Sequence, residues 1–379
     1  MNTEVVIVGG GMVGAALALA LARHDMAVTL VERQAPSVGD ELDPRVSAIS
    51  EGALRFLQRL DVSLPSEYCQ PYRHLWVGEA DSHCQFSASE LGEPRLGLFV
   101  ENVRLQQALW QAMPDSVALR LGTPVQFRQQ ANGVELTMDN GEVIVARLAI
   151  AADGANSWLR QQAGIGLTGW DYRQHCLLAT VETQGQMADT TWQQFTPHGP
   201  RAWLPMPHNQ AVLAWYDEAA TIRQLASLSA EALTAQAKLA YPAMLGDITV
   251  KSWGSFALTR RHAQRYGQNG VWLVGDAAHT INPLAGQGVN LGFRDVQTLA
   301  AQMGGAHARG ECWWDDKALQ RYERARKPDN LLMQSMMDLC YKGFSNTNPL
   351  LGRLRQLALS SVDLFSPAKK QVLKYAAGL

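Results

Sequence analysis

The sequence of 379 residues lacks the patterns that mark metal proteins, redox-disulfide proteins and nucleic-acid-binding proteins. Its five cysteines are scattered, odd in number and without a C-x-x-C pair, which indicates reduced thiols in a cytoplasmic protein. Its nine histidines show no metal-ligand spacing, so we expect no metal. Because 33 Lys and Arg stand against 35 Asp and Glu, the formal net charge of −2 argues against a nucleic-acid partner.

One apolar run has about the minimum length of a membrane span. The residues from Val5 to Ala22 form an uncharged run of 18. The preceding Met-Asn-Thr-Glu carries no positive charge, unlike the start of a signal peptide, and four glycines fall inside the run. We interpret the run as part of a soluble core, and the hydrophobic content of 47% fits a well-packed globular protein.

The first motif is a glycine-rich turn between a strand and a helix. It matches G-x-G-x-x-G at Gly9, Gly11 and Gly14, followed by a predicted helix over Ala15–Arg23. The first glycine makes the tight turn, the second lets the backbone approach a pyrophosphate, and the third allows helix and strand to pack closely. Glu32 ends the next strand at about the spacing expected for a carboxylate on a ribose 2′-hydroxyl, which favours NAD or FAD over NADP.

The second motif runs from Gly275 to Asp295 and follows a short buried strand. Asp276 lies at the strand end, where a carboxylate can accept hydrogen bonds from sugar-type hydroxyls. The loop contains one proline that stiffens it and two glycines that permit close approach, namely Pro283, Gly286 and Gly288. A helix predicted from about Gln287 offers unpaired N–H groups and a positive dipole end. A reduced flavin ring, which carries negative charge, needs such a site; an ordinary glycine-rich connection is the alternative.

Two weaker signals lie between these motifs. Asp153 and Gly154 again place a carboxylate and a bare backbone at a strand end, although a plain Asp-Gly turn is common. Arg45 lies in the loop before a helix predicted from about Glu51, and its planar guanidinium could reach a phosphate or a flavin edge. An ordinary surface arginine is the alternative for Arg45.

The middle of the chain, from about 171 to 261, shows alternating and aromatic strands. This pattern predicts a mostly antiparallel, Trp-rich sheet that covers a cofactor and binds an apolar substrate, with the tryptophans supplying core or pocket. After Asp295 the chain is predicted helical, with one helix ending at Pro328 and another over Asn330–Tyr341.

The last stretch combines helical apolar spacing with basic residues. The apolar positions are Leu351, Leu354, Ala358, Val362 and Phe365, and the basic ones include Lys369, Lys370 and Lys374. Such a segment is typical of a helix on a membrane surface or against a partner, and ordinary packing onto the body is the alternative.

Together, GGGMVG with Glu32, ADGANSWLR and GDAAHTINPLAGQGVN resemble the single-component flavin-dependent aromatic hydroxylases, the family with the para-hydroxybenzoate hydroxylase fold. The resemblance covers essentially the whole chain. Within the family, DPRVSAIS, TWQQF, GPRAWLP, LAWYD and NPLAGQGVNLGFRD are similar to the ubiquinone-biosynthesis hydroxylases.

The resemblance implies a mixed α/β (α+β) fold. A Rossmann-like FAD-binding domain would comprise residues 1–70, 101–170 and 263–330. An inserted antiparallel-sheet substrate domain would comprise 71–100 and 171–262, and a helical C-terminal part would comprise 331–379.

The same resemblance implies how FAD is held. The adenosine and pyrophosphate would lie against Gly9, Gly11, Gly14 and Glu32. Along the cofactor and near the flavin would lie Arg45, Asn102 and Arg104, with Asp153 and Gly154 associated with both FAD and pyridine nucleotide. The ribityl or phosphate end would contact Gly275 and Asp276. The flavin ring would be lined by Pro283, Gly286, Gln287, Gly288 and Asn290. No residue is predicted as a general base.

The implied activity is ring hydroxylation of a prenylated quinol in ubiquinone biosynthesis, with NAD(P)H as electron donor, O2 as co-substrate and a flavin C(4a)-hydroperoxide as oxidant. An octaprenyl tail implies contact with a membrane from the cytoplasmic side, and a biosynthetic protein complex is a further expected partner. The alternatives are a sister hydroxylase acting at another ring position, a hydroxylase of a soluble phenol, and a non-enzymatic FAD-binding assembly component. A halogenase is disfavoured because W-x-W-x-I-P is absent.

Overall fold

The computed structural model describes residues 2–79, 82–184, 189–242, 245–282, 286–344 and 366–379. The strands are β1 (Asn2–Val8), β2 (Val28–Glu32), β3 (Val46–Ser50), β4 (Gln70–Tyr72), β5 (His74–Glu79), β6 (Ser82–Ser87), β7 (Gly97–Glu101), β8 (Ala118–Leu121), β9 (Pro124–Gln130), β10 (Gly133–Met138), β11 (Val143–Ala151), β12 (Leu167–Thr183), β13 (Thr190–Phe195), β14 (Arg201–Met206), β15 (Gln210–Glu218), β16 (Ile248–Ala263), β17 (Gly267–Gln268), β18 (Val271–Leu273) and β19 (His279–Thr280). The helices are α1 (Met12–Ala22), α2 (Glu51–Arg59), α3 (Asn102–Gln111), α4 (Trp158–Gln162), α5 (Ala219–Ala226), α6 (Ala230–Ala240), α7 (Gly288–Ala308), α8 (Asp316–Phe344) and α9 (Ser366–Ala377).

The first sheet has a parallel centre in the order β18-β11-β1-β2-β8. Its strands are short apolar runs because the residues at their centres are buried on both faces. The strands β9 and β10 continue the sheet beside β11 as an antiparallel meander, and β17 pairs with β18 at the edge. The helix α1 packs against α3 and α7. The carboxyl ends of β1, β11 and β18 therefore meet at one edge, where the sequence motifs lie.

The second sheet has the order β19-β16-β12-β15-β14-β13-β5-β6 and is antiparallel except for the β13–β5 pair. Its residues alternate between two environments, as the period of a strand requires. One face buries Trp192, Trp203 and Trp215 in a core under α5 and α6. The opposite face points toward the first sheet. A small third sheet has the strand order β3-β7-β4. The predicted mixed α/β architecture with an antiparallel sheet is thus confirmed.

Three predictions of local structure were wrong. The helix α1 begins at Met12 rather than Ala15, and the strand β3 occupies part of the loop predicted to lead into α2. Pro328 does not end a helix, because α8 is continuous through it. Arg326 and Asn330, on either side of the proline, both bond Asp295, and these tertiary contacts outweigh the loss of one helical hydrogen bond. The predicted apolar spacing from Leu351 to Phe365 lies outside the described residues.

Candidate functional site

A cavity of 660 Å³ lies between the first and second sheets. We distinguish a glycine-rich half on the side of the first sheet and an apolar half on the side of the second sheet. The glycine-rich half includes Gly11, Arg45, Gly154, Asp276, Gly286 and Gly288. The apolar half includes Leu75, Leu96, Phe99, Leu178, Leu204 and Phe256. The volume is in the range of small-molecule and cofactor sites.

The glycines in the turn between β1 and α1 have two different roles. Gly9 has a φ of +103°, and a Cβ there would lie 2.4 Å from the carbonyl oxygen of Ala152. A Cβ on Gly14 would lie 1.9 Å from the carbonyl oxygen of Gly9, so no side chain fits at this position. Gly11 meets no atom within 4 Å of an added Cβ and lines the cavity. The backbone at Gly11 is therefore open to a ligand, while Gly9 and Gly14 shape the turn.

The helix α3 and the strand β2 hold this turn from the other side. Glu32 Oε2 accepts a hydrogen bond of 2.6 Å from the backbone N–H of Gly10. The carbonyl of Gly10 accepts bonds from Trp110 Nε1 at 2.7 Å and Gln106 Nε2 at 2.9 Å. Trp110 and Gln106 belong to none of the sequence motifs, so their contact with the turn could not be predicted from the sequence. Their contribution is to fix the backbone of the turn.

Arg45 and Asn102 line the cavity. Arg45 forms an ion pair of 3.0 Å with Asp43, and its carbonyl oxygen accepts a 2.9 Å bond from the backbone N–H of Asn102. The side chain of Asn102 accepts a 2.6 Å bond from Ser47 Oγ. These contacts fasten the start of β3 to the start of α3 beside the cavity.

Arg104 lies away from the cavity lining. Its guanidinium pairs with Glu101 and lies 3.5 Å from the centre of the Tyr68 ring. The structure therefore does not bring Arg104 together with Arg45 and Asn102, and its predicted place near the flavin stays a prediction. The pair with a buried carboxylate satisfies the guanidinium locally.

Asp153 and Gly154 follow β11. Asp153 Oδ2 accepts a 3.1 Å bond from the N–H of Leu159, and its Oδ1 is buried without a hydrogen-bond partner among the described atoms. Burial raises the pKa of the Asp153 carboxyl. Gly154 has a φ of +82° and lines the cavity with open space around its backbone. The carboxylate thus supports the turn, and the glycine faces the cavity.

A buried carboxylate anchors the backbone of the second motif. Asp295 Oδ2 accepts bonds from the N–H of Gly275 at 3.1 Å and from His279 Nε2 at 2.5 Å. Its Oδ1 accepts a 2.8 Å bond from Arg326 Nε. Burial alone would raise the pKa of Asp295, but the interactions with His279 and Arg326 lower it to about 2. Sequence reasoning missed this role, because the three side chains meet only in the folded chain.

Asp276 follows Gly275, whose backbone N–H is bonded to Asp295, and faces the cavity. It is exposed there, yet the surrounding protein removes enough water to raise the pKa of its carboxyl. Asp276 therefore stands at the cavity wall as an acceptor for hydroxyl groups, held in place through Gly275 and Asp295.

The start of α7 closes the glycine-rich half. Gly286 has a φ of +63°, and an added Cβ would lie 3.0 Å from the Cβ of Ala48. Gln287, the residue before this 21-residue helix, provides no side-chain cap for the first N–H groups of the helix. Gly286, Gln287 and Gly288 all line the cavity. The positive end of the helix dipole is therefore available to a negatively charged group.

Asn290 lies in the first turn of α7 and bonds to β3. Its Oδ1 accepts a 3.0 Å bond from the N–H of Ser50, and its Nδ2 donates to the carbonyl of Ala48 at 2.9 Å. Asn290 thus positions β3 against the helix. The predicted flavin-lining Pro283 lies outside the described residues.

These features fit FAD. An open backbone at Gly11, a hydroxyl acceptor at Asp276 and a helix start without a side-chain cap face one cavity. The predicted residues that line it are Gly11, Arg45, Asn102, Gly154, Asp276, Gly286, Gln287 and Gly288. Gly9, Gly14, Glu32, Asp153, Gly275 and Asn290 support the backbone around them. Contact of each of these residues with FAD stays a prediction.

The described part of the chain contains no group of three or more His, Cys, Asp and Glu side chains placed to hold a metal ion. Among its helices, none has both the length and the apolar character needed to cross a membrane.

Known proteins resemble the chain in sequence and in fold. A family model described as FAD binding domain matches residues 2–334. The 3-demethoxyubiquinol 3-hydroxylase of Escherichia coli is 49% identical, over 100% of this chain and 99% of the relative. The ubiquinone hydroxylase UbiL of Rhodospirillum rubrum is 34% identical, over 99% of this chain and 89% of the relative. The crystal structure of p-nitrophenol 4-monooxygenase PnpA from Pseudomonas putida superposes with a TM-score of 0.82 at 17% identity, covering 100% of this chain and 98% of that chain.

Proposed function

The chain belongs to the FAD-binding family of flavin-dependent monooxygenases, and from this premise we propose that it hydroxylates the ring of a prenylated benzoquinol in ubiquinone biosynthesis. The apolar half of the cavity carries this proposal. The charged side chains that line the described cavity, Arg45 and Asp276, both lie in the glycine-rich half.

The lining of the apolar half favours a neutral ring. Its polar groups are hydroxyls and an amide, on Tyr72, Thr191, Gln193 and Tyr216. A substrate with a carboxylate would need a cationic partner, because burying an unpaired charge is costly. A quinol ring with hydroxyl and methoxy groups needs only neutral donors and acceptors. A prenyl tail needs apolar contact, which Leu75, Leu96 and Phe99 supply.

The residues of the glycine-rich half would hold FAD. The open backbone at Gly11 would bind the pyrophosphate, Asp276 would accept from ribityl hydroxyls, and the start of α7 would face the flavin ring. When bound, FAD supplies the redox chemistry: it accepts a hydride from NAD(P)H and activates O2, of which one atom enters the ring and the other leaves as water.

The protein contributes position and exclusion of water. The bonds of Asn290 to β3 and of Ser47 to Asn102 hold one wall rigid. The apolar side chains of Leu178 and Leu204 in the second sheet and of Phe99 in the third sheet would face the ring and limit the access of water. The N–H groups at the start of α7 would stabilise negative charge on the flavin.

The proposal includes the partners expected from the substrate. NAD(P)H would be the electron donor and O2 the co-substrate. An octaprenyl quinol resides in a membrane, so we include peripheral contact with the cytoplasmic face of the membrane and association with other enzymes of the pathway. The outward side of α9 carries Lys370 and Lys374, which would suit an anionic lipid surface.

The test is mass spectrometry of the quinone pool in cells that lack the protein. We expect the 3-demethoxy quinone to accumulate, and the wild-type chain to restore the normal pool. Asp276→Ala should not restore it, because the cavity loses its hydroxyl acceptor. The matched control is Asp247→Ala, which removes a surface carboxylate paired with Lys238.

Each other profile points to a different function. Accumulation of a less oxygenated intermediate would assign the chain to a sister step at another ring position. An unchanged quinone pool would contradict the quinol substrate and favour a soluble phenol. Purified protein that binds FAD but consumes no O2 with either quinols or soluble phenols would contradict the hydroxylase activity itself.

A further inference from the structure

The C-terminal helix α9 forms one wall of the cavity. Leu373, Ala376 and Ala377 lie three and four residues apart, hence on one face of the helix, and all three line the cavity. Leu373 and Ala377 are buried, whereas Gln371, Val372 and Lys374 on the other side are exposed. The helix therefore presents a narrow apolar face inward, and two of its three cavity residues are alanines.

Polar contacts hold α9 near both ends. Toward its end, Arg294 Nη2 donates a 2.6 Å bond to the carbonyl of Tyr375, and Tyr375 Oη donates a 2.7 Å bond to Asp329. Toward its start, Lys369 Nζ donates to the carbonyl of Gln85 at 2.6 Å and pairs with Glu90 at 3.1 Å. The helix thus spans from α7 and α8 to the edge of the second sheet.

An apolar surface continues from the cavity beneath α9. Leu373 packs in a cluster with buried Ala88 and Leu96, and Leu75 and Phe86 pack against it. Leu75 and Leu96 also line the cavity, so the cavity and this cluster share a wall. Phe86 is partly exposed at the edge strand β6. The apolar surface therefore leads from the cavity to the edge of the protein.

We propose that the prenyl chain of the substrate leaves the cavity along this surface, between the inner face of α9 and Leu75, Leu96 and Phe86. The inference rests on the proposed function. The ring must approach the glycine-rich half to react, so the tail must run away from it along apolar atoms. Ala376 lines this path with the smallest side chain that a helix favours, and the clearance there sets which tails fit.

The test compares two quinols with the same ring, one with eight isoprene units and one with a single unit, in detergent. Ala376→Phe should raise KM for the long-tailed quinol by about tenfold more than KM for the short-tailed quinol. Gln371→Phe is the matched control, because it adds the same side chain on the exposed face of the same helix. Flavin content confirms that each variant is folded. Ala376→Leu is a smaller step and should give a smaller discrimination.

Two results would overturn the proposal: equal loss with both quinols, or no change with either. A second measurement does not depend on a variant. A quinone with a diazirine in its third isoprene unit should label the peptide that contains residues 369–379 of the wild-type holoenzyme, and labelling confined to other peptides would also overturn the proposal. If the wild type oxidises neither quinol, the proposed function fails first, and the tail path fails with it.

Discussion

Asp295 illustrates how one side chain controls a site that it does not line. Its carboxylate accepts from the amide of Gly275, from His279, from Arg326 and from Asn330. The first bond fixes the turn that presents Asp276, the bond from His279 ties β19 to α7, and the bonds from Arg326 and Asn330 tie α8 to α7. Because the carboxylate is completely buried, its charge has no water to compensate for a lost partner.

We expect Asp295→Asn to lower the free energy of unfolding by about 3 to 5 kcal/mol, because buried Arg326 would keep only the ion pair with Asp329 and buried His279 would lose its charged acceptor. FAD binding should weaken as well, since the amide of Gly275 loses a charged acceptor. Chemical denaturation and a titration with FAD measure the two effects. Asp247→Asn, at the surface, should change neither. A variant as stable as the wild type would show that the network is not a source of stability.

His262 carries a pH-dependent contribution to stability. Burial, together with the charges of His279, Lys327 and Arg260, lowers its pKa from 6.5 to about 4. The unfolded chain therefore binds a proton at this residue before the folded chain does, and stability falls as the pH falls from about 6.5 to about 4.

We expect His262→Gln to flatten this pH dependence by an amount on the order of 3 kcal/mol, since one unit of pKa corresponds to about 1.4 kcal/mol. Urea unfolding at several pH values measures it. The exposed His198 provides the control, because His198→Gln should leave the wild-type slope unchanged. A slope of the same size in His262→Gln would assign the effect to other groups.

Among the elements, the turn between β1 and α1 separates folding from binding. Gly14 has no room for a Cβ, because it packs on the carbonyl of Gly9. Gly11 has room on all sides, and its φ of −65° suits any residue. The same six-residue motif therefore contains glycines needed for packing, Gly9 and Gly14, and one that leaves space for a ligand, Gly11.

We expect Gly14→Ala to lower stability by about 1 to 3 kcal/mol through overpacking. Gly11→Ala should change stability by less than about 1 kcal/mol but raise the Kd for FAD by about tenfold, because the new methyl faces the ligand. Thermal unfolding of the apoprotein and fluorescence titration with FAD separate the two. If Gly11→Ala bound FAD as tightly as the wild type, the turn would not be the pyrophosphate site.

The strands of the second sheet separate folding from binding in a similar way: one face belongs to a core and the other lines the cavity. On β15, Leu213 and Trp215 point into the core under α5 and α6, whereas Ala214 and Tyr216 line the cavity. A one-residue shift of register would exchange these sets. The tryptophan core on the far face thus supports the cavity wall without contacting a ligand.

At the scale of the whole molecule, α9 links the helices α2, α7 and α8 to the edge of the second sheet beside the cavity. Its last residues pack on α2, where a Cβ on Gly52 would lie 2.2 Å from the carbonyl oxygen of Gly378. Its first turns contact the edge of the second sheet through Lys369. Closure of the cavity therefore depends on contacts between distant parts of the chain.

We expect Arg294→Ala to loosen α9, because the helix loses a charged hydrogen bond to the carbonyl of Tyr375. Hydrogen exchange of the amides in residues 369–377 should become about tenfold faster, while α1 exchanges as before. Arg309→Ala, which breaks an exposed pair with Glu311, serves as the control. Unchanged exchange in α9 would show that its apolar face alone holds it.

The sequence by itself determined the parts that depend on local backbone chemistry. The turn at Gly9, Gly11 and Gly14, the acidic end of β2 and the helix start near Gly288 follow from short-range rules of sterics and hydrogen bonding. The family resemblance added the mixed fold and the FAD-dependent activity, and both are confirmed. The division into three domains stays a prediction.

Only the tertiary structure decided the contacts between elements. Asp295 and His279 lie in the second motif but Arg326 lies outside it, and the three side chains meet because α7, β19 and α8 pack together. The same packing carries α8 through Pro328 against its local preference. The place of α9 over the cavity depends on partners hundreds of residues away, since long-range packing is set by the shapes of folded elements and not by neighbouring residues.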